Sequence, residues 1–135
     1  MKLVVNFRIG PTKTQKTFRT IKPMRRGEIW LYNANPTLGD EISKIRPAII
    51  VNNDEIGTLR LKVIVPITGW NPAFIDIPWM VRLNVSPENQ LTKTSAADTF
   101  QIRSVAQQRL IRQLGFVDRG ADSYHSLILS TIASA

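Results

Sequence analysis

The chain has 135 residues, of which 43% are hydrophobic and none is cysteine, and its 18 Lys and Arg side chains against 10 Asp and Glu give a formal charge of +8. This length is enough for one domain and too short for two, and the composition excludes collagen-like, disulfide-stapled and low-complexity proteins. The apolar runs are far shorter than the ~18 residues of a membrane span, which predicts a soluble protein.

The positive charge is concentrated at the N-terminus. Residues 1–26 hold eight cations and no acid, whereas the rest of the chain balances ten cations against ten acids. Basic patches favour nucleic-acid binding, but here that inference applies only to residues 1–23, a basic N-terminal arm or extension. Three interpretations of the arm stay open: a solvated arm, a strand pair turned at Gly10-Pro11, or sequence upstream of a natural start at Met24. Residues 24–135 are expected to form one domain.

The body of the chain begins with short segments typical of β-strands. Residues 48–51 form an unbroken apolar run, which indicates a strand buried on both faces. A loop precedes this run and ends at Arg46-Pro47. In the following strand, Pro66 predicts an edge or a bulge. The predicted strands lie at residues 28–32, 48–51, 61–67, 80–85 and 99–105.

The last segment has a different period. Residues 118–133 place apolar side chains at helical spacing, with Asp122 and Ser123 as candidate N-caps. We therefore expect a mainly β protein with α (α+β class): a compact antiparallel sheet or small barrel with a C-terminal helix packed on it.

Several kinds of chemistry are excluded by residue counts. The only histidine, His125, lies in the helical segment, so an acid–base pair of two imidazoles cannot be built; we expect it to be a surface or packing residue. Zinc sites and thiol nucleophiles are also excluded, because the chain has no cysteine and only one histidine. The acidic pairs at residues 40–41 and 54–55 match no cation-loop spacing, so nothing argues for a metal or another cofactor.

Polar residues at strand ends remain as candidates. Glu41 and Arg46 flank one loop, and Thr68 directly follows the third predicted strand. Each also has a simple structural interpretation, an exposed ion pair for the first two and a turn residue for Thr68. The residues by themselves therefore predict a small, mostly β domain and no particular reaction.

Four blocks in order carry a resemblance to a known family: RGEIW at 26–30, NPTLGDEISKIRPAIIVNND at 35–54, VIVPIT at 63–68 and QIRSVAQQRLIRQLG at 101–115. Together they resemble the MazF/PemK (Kid) toxins of type II toxin–antitoxin systems over residues 25–115. The resemblance implies a small twisted antiparallel SH3-like barrel (MazF/CcdB-type) with short helices and a C-terminal helix. It does not reach residues 1–23.

The same resemblance implies an activity and partners. Family members are cytoplasmic homodimers, sequence-specific mRNA interferases that cut single-stranded RNA without a metal or other cofactor. The RNA's own 2′-hydroxyl is the nucleophile, which suits cleavage without a metal because that group is tethered beside the phosphorus. The implied protein partner is an acidic MazE/PemI-like antitoxin, and operator DNA is bound only through the antitoxin complex.

Catalytic roles follow from the resemblance at three positions. Arg46 matches the family's catalytic arginine and would stabilise the charge that builds on phosphorus. Thr68 matches its catalytic threonine and would hydrogen-bond the phosphate or the 2′-hydroxyl. Glu41 is the candidate to accept the 2′-hydroxyl proton or to orient Arg46.

RNA-binding roles are implied at other positions. From their position directly after the third strand, Trp70 and Asn71 form a candidate base-reading loop, since single-stranded RNA is read by stacking and hydrogen bonds. A core or dimer-interface role for Trp70 stays open. Gln101 and Arg103 are expected near the dimer seam or the RNA groove. Three residues depart from the Kid-like branch of the family: Asp40, Asp98 and Phe100. That branch has His, Arg and an acidic residue, respectively, in these positions, so its proton-transfer scheme does not carry over to this chain. Asp40 is kept as a candidate RNA contact.

Two alternatives from another functional class stay open. One is a CcdB-like protein of the same fold that inhibits gyrase by binding, and the other is an inactive dimer that binds RNA or antitoxin. The first is disfavoured by the C-terminus, because the chain ends in Ile-Ala-Ser-Ala where gyrase inhibitors typically end in Trp-Gly-Ile.

Overall fold

The computed structural model describes residues 24–35, 39, 44–56, 60–118 and 124–134. The basic arm and the two candidate helix caps lie outside the described residues. Short 3₁₀ turns join several strands, among them Pro72–Asp76 and Thr99–Gln101. The regular elements are β1 (Glu28–Asn33), β2 (Ile45–Ile50), β3 (Leu61–Gly69), β4 (Met80–Leu83), β5 (Ser95–Asp98), β6 (Arg103–Ala106), β7 (Leu110–Phe116) and α1 (Tyr124–Ser134).

The seven strands form one antiparallel sheet. Six follow the order β4-β5-β3-β2-β1-β7, and β6 pairs with β3 beside β5. With α1 this gives a mostly β, α+β fold and confirms the predicted class. Strand β3 is central, because it pairs with β2 on one side and with both β5 and β6 on the other.

Alternating side chains of the central strands fill two separate hydrophobic clusters. In β2, Ile49 contributes to the first cluster and Ala48 and Ile50 to the second, so this strand is buried on both faces as predicted. The first cluster also receives Ile128 from α1, which packs near β4. The second cluster includes Trp30 and Tyr32 of β1, Ile64 of β3, Val105 of β6 and Leu110 of β7.

Pro66 marks a break in the pairing of β3 but does not lie on an edge strand. Val51 donates its N–H to the carbonyl of Val63 at 2.9 Å, so alternation directs the backbone groups of Ile64, Pro66 and Thr68 away from β2. On that far side, pairing with β6 ends at Ile64 and pairing with β5 begins at position 67. The missing N–H of Pro66 therefore falls in the gap between two partner strands.

Three strand predictions need correction. The segment predicted as one strand at residues 99–105 is a 3₁₀ turn followed by β6, because the Asp98 side chain caps the turn. Strands β5 and β7 were not predicted. Strand β2 begins at Ile45 and so includes Arg46 and Pro47, which were assigned to a loop, because β1 is long enough to pair with it as far as Asn33.

Helix α1 supplies one buried imidazole. His125 is 3% exposed and lies in the first turn of the helix, so it is a packing residue, one of the two roles expected for it. Among the described residues, no helix has the length and apolarity needed to cross a membrane.

Candidate functional site

Arg46 is held by pairing with β1. It lies in the first half of β2, is half-buried, and pairs directly with Tyr32. Alternation places it on the same face of β2 as Ala48 and Ile50, which belong to the second cluster. The guanidinium therefore lies at the border of a buried apolar surface, where its charge is screened less than in open water.

Thr68 lies in the neighbouring strand at the matching position. The β2–β3 register pairs Ala48 with Pro66, and continued by two residues it sets Arg46 opposite Thr68. Since Val51 and Val63 are a hydrogen-bonded pair, this alternation makes Arg46 and Thr68 a non-hydrogen-bonded pair, the kind with Cα atoms ~4.5 Å apart and close side chains. Continued in this way, the register brings together the two positions that the resemblance suggested.

Two other candidates cannot be placed. Glu41 and Asp40 lie outside the described residues, in the segment before β2. Their suggested roles, proton acceptor and RNA contact, remain predictions.

Gln101 and Arg103 follow β5 and lie on the other side of β3 from Arg46. Arg103 pairs with Ile64, which shares a face of β3 with Thr68. The two positions on β3 are four residues apart, or about 13 Å along a strand. Gln101 is half-buried at the end of the 3₁₀ turn and donates its Nε2 to Oδ2 of Asp98 at 3.2 Å. The sheet therefore spreads these candidates along β3 and does not gather them at Thr68.

Asp98 organises this end of the site. Its side chain is 5% exposed, and its Oδ1 accepts the N–H of Phe100 at 3.2 Å. Burial raises the pKa of Asp98 above its ordinary value of 3.8, while hydrogen bonds from Phe100 and Gln101 oppose that rise. An ionised carboxylate only accepts hydrogen bonds, so it fixes which end of the Gln101 amide faces it. The sequence signal for this capping role is the spacing, because an aspartate side chain commonly accepts the backbone N–H two residues later, here that of Phe100.

Trp70 and Asn71 continue the chain directly from β3. Trp70 is half-buried, its N–H donates to the carbonyl of Thr94 at 3.0 Å, and its ring meets Phe74 edge-on at 5.7 Å between centroids. Asn71 is exposed, and its side-chain oxygen accepts the N–H of Ala73 at 2.9 Å as the N-cap of the 3₁₀ turn. The turn thus fixes the place of Trp70, while Asn71 has a structural role in addition to the one suggested for it.

Metal-ligating side chains are scattered. Within the ranges that the structure describes, no three His, Cys, Asp or Glu side chains cluster closely enough to hold a metal ion. Near Thr68 the described residues therefore include the Thr68 hydroxyl itself and, at the end of β5, the carboxylate of Asp98 with the amide of Gln101.

Comparison with known proteins identifies the family to which the chain belongs. Residues 25–121 match the family model described as PemK-like, MazF-like toxin of type II toxin–antitoxin system. Endoribonuclease MazF9 of Mycobacterium tuberculosis is 36% identical over 100 residues, covering 70% of this chain and 82% of that protein. Endoribonuclease MazF of Staphylococcus saprophyticus is 32% identical over 94 residues, covering 70% and 78%.

Two solved structures share the fold. MazF from Deinococcus radiodurans superposes with a TM-score of 0.67 at 20% identity, covering 84% of this chain and 96% of the other. A mycobacterial endoribonuclease, solved in complex with its cognate antitoxin, gives a TM-score of 0.61 at 19% identity, covering 82% and 91%. At these identities the likeness establishes the fold.

Proposed function

Because this chain belongs to the PemK/MazF family of toxins of type II toxin–antitoxin systems, we propose that it is a metal-independent, sequence-specific endoribonuclease that cleaves single-stranded RNA. Its curated relatives are named endoribonucleases, which favours this function over the non-catalytic alternatives. The observation that supports the proposal is the pairing of Ala48 with Pro66, because the same register, continued by two residues, would set Arg46 opposite Thr68 in adjacent strands. A cation and a hydroxyl so placed suit one phosphodiester group.

The reaction uses a nucleophile that the substrate itself carries. The 2′-hydroxyl oxygen forms a bond to the adjacent phosphorus, the bond from phosphorus to the 5′-oxygen breaks, and the products are a 2′,3′-cyclic phosphate and a 5′-hydroxyl. One proton leaves the 2′-hydroxyl and one is delivered to the departing 5′-oxygen. The enzyme then has to position the phosphodiester and stabilise its developing charge, since the nucleophile is already tethered.

Arg46 supplies the charge stabilisation. An arginine side chain carries a delocalised positive charge and presents a planar fork to two phosphate oxygens. A group that never loses its proton is a poor general acid, so we assign Arg46 to electrostatic stabilisation and not to proton transfer. Thr68, on the opposite strand, donates its hydroxyl to the same phosphate. Glu41 is the proposed proton acceptor.

The remaining candidates bind the RNA on either side of the cut. Gln101, whose amide is held by Asp98, offers a hydrogen-bonding group to a splayed base. Arg103 offers a cation along β3, and Trp70 and Asn71 present groups after the end of that strand. Asp40 is retained as an RNA contact in the segment before β2.

The proposal includes assembly and control. The protein works as a homodimer in the cytoplasm and is inhibited by an acidic MazE/PemI-like antitoxin that covers the RNA groove. It reaches operator DNA only through that complex. Family membership supports this, as does the solved fold neighbour in complex with its cognate antitoxin.

End-group chemistry tests the proposed reaction. The purified protein is incubated with a mixed RNA pool in EDTA, and the new ends are mapped by sequencing with and without enzymatic 5′-phosphorylation. We expect cuts within a short recurring sequence, with 5′-hydroxyl and cyclic-phosphate ends. Cleavage that disappears in EDTA, or products with 5′-phosphates, would contradict attack by the 2′-hydroxyl.

A further inference from the structure

We propose that Trp70, Arg82 and Lys93 form a nucleotide subsite beside Thr68, where one base next to the cut stacks on Trp70 and its phosphate pairs with the two cations. Nothing in the family resemblance assigned Arg82 or Lys93. The inference rests on the proposed function, because it takes RNA as the substrate, and it specifies where a flanking nucleotide is read.

The first observation is that Arg82 covers the indole of Trp70. The guanidinium carbon lies 5.1 Å from the ring centroid, within the range of a cation–π contact. Arg82 is the exposed position of β4 and lies between the buried residues Val81 and Leu83. With Phe74 against another part of the indole, the ring is held in one orientation. A fixed aromatic ring loses little entropy when a base stacks on it.

The second observation is a row of residues that links this ring to the proposed reaction centre. Thr68 of β3 pairs with Ala96 of β5, and Ala96 pairs with Arg82 of β4. Residues paired in this way project on the same face of the sheet, and two strand spacings amount to about 10 Å. Arg82 and Thr68 thus share a face of the sheet, about 10 Å apart.

Lys93 adds a second cation beside the same turn. A Cβ placed on Gly69 would come within 3.1 Å of the Lys93 ammonium nitrogen, so this side chain lies against the backbone between Thr68 and Trp70. Neither Lys93 nor Arg82 has a carboxylate partner within the part of the chain that the structure describes. Among the described residues, therefore, no carboxylate competes with a phosphate for these two charges.

The combination favours a nucleotide over an acidic peptide. Two cations alone would suit either ligand. A half-buried indole held flat by a guanidinium suits a base, because every base has a π-face and stacking of this kind is worth ~1–3 kcal/mol per base. The polymer that offers alternating planar bases and phosphates is single-stranded nucleic acid.

The binding experiment does not depend on cleavage. Affinity for a fluorescent RNA pool is measured by anisotropy in the Arg46→Ala background, with Trp70→Leu, Arg82→Gln or Gly69→Ala added. We expect Trp70→Leu to weaken binding by ~10-fold or more, Trp70→Phe to restore most of it, and Gly69→Ala to weaken it modestly by displacing Lys93. Arg112→Gln is the matched control, an exposed arginine on β7, three strands away from β3. Thermal unfolding of each variant checks that it is folded.

Cleavage mapping then separates this inference from the proposed function. In otherwise wild-type protein, Arg82→Gln and Trp70→Leu should change the base preference at one position beside the cut and leave the other positions unaltered. Unchanged affinity and unchanged preference would overturn the subsite while leaving RNA cleavage intact. A substitution that lowers affinity for a polyglutamate peptide and leaves RNA binding unchanged would also overturn the subsite. If the unsubstituted protein does not bind RNA at all, both the subsite and the proposed function are refuted.

Discussion

Arg46 of β2 pairs directly with Tyr32 of β1, and the Tyr32 hydroxyl is buried without a hydrogen-bond partner among the described residues. The Tyr32 side chain is 1% exposed, and the pairing places it on the face of the sheet from which Arg46 projects. A buried polar atom in this position costs free energy of folding and calls for an explanation. A phenylalanine in this position would keep the ring and avoid that cost.

Replacing Tyr32 with Phe tests whether the buried hydroxyl lacks a partner in the folded protein. The substitution keeps the ring and removes a hydroxyl that has no partner in the described part of the chain, so the free energy of unfolding should stay the same or rise by ~1–3 kcal/mol. Urea unfolding at fixed pH measures it. A clear loss of stability would show that the hydroxyl makes a bond in the folded protein, and Tyr32→Leu serves as the comparison that removes the ring as well.

The buried carboxyl of Asp98 should make stability depend on pH. Because burial raises its folded-state pKa above 3.8, the folded protein binds this proton more tightly than the unfolded chain does. The contribution of Asp98 is therefore most favourable at low pH and is lost as pH rises through the folded-state pKa. The Asp98→Asn variant cannot ionise at this position. Its free energy of unfolding minus that of the wild type should therefore increase as pH rises through the folded-state pKa of Asp98.

Parallel unfolding curves between about pH 3.5 and 7 measure this effect, with Asp76→Asn as a control for removing one exposed carboxylate. A stability difference that is constant with pH would contradict the assignment. If the free energy of unfolding of the variant minus that of the wild type falls as pH rises, the hydrogen bonds from Phe100 and Gln101 lower the pKa of Asp98 by more than burial raises it.

The bond between Gln101 and Asp98 predicts the effect of a near-isosteric change. Gln101→Glu replaces a donor at 3.2 Å from Oδ2 of Asp98 with a second carboxylate, so the two groups cannot both ionise without repulsion. We expect Gln101→Glu to be less stable than Gln101→Met at neutral pH, with the difference shrinking in acid. Equal stability of the two variants at neutral pH would show that the side chain does not face Asp98.

The basic arm should affect RNA binding through salt-sensitive attraction. Residues 1–23 contain six cations and no acid, whereas residues 27–135 balance ten cations against ten acids. Each phosphate neutralised on single-stranded nucleic acid adds ~0.7 to the slope of log affinity against log salt concentration. A chain that starts at Met24 should therefore show a shallower slope than the full chain. Equal slopes would mean that the arm takes no part in binding.

The sequence predicted the central strands well because their burial is unbroken. Residues 48–51 are apolar throughout, and β2 is indeed covered on both faces by separate clusters. Strand β7 was missed because its pairing with β1 is interrupted twice, between Ile29 and Trp30 and between Leu31 and Tyr32. Such register shifts remove the alternation that sequence analysis depends on. Strand β5 was missed because Ser-Ala-Ala has low strand propensity and is buried only by its neighbours.

The candidate site was predictable only in part. Arg46 and Thr68 stood at a loop and at a strand end, and the resemblance, not their spacing, suggested a reaction. Their opposition, and the row from Thr68 through Ala96 to Arg82, depend on which strands lie side by side. That lateral order is set by tertiary packing, because β3 pairs with β5 and not with β4, the strand that follows it in the chain.

The central claim is that Arg46 stabilises the transition state of RNA cleavage. Single-turnover cleavage of one mapped RNA in EDTA, compared for wild type, Arg46→Ala and the control Arg112→Ala, measures this most directly. Removing one electrostatic donor should lower the rate by ~10²- to 10³-fold in Arg46→Ala, with the same cut site and the same folded stability, while Arg112→Ala stays near wild type. Undiminished cleavage by Arg46→Ala, or an equal loss in Arg112→Ala, would contradict the account.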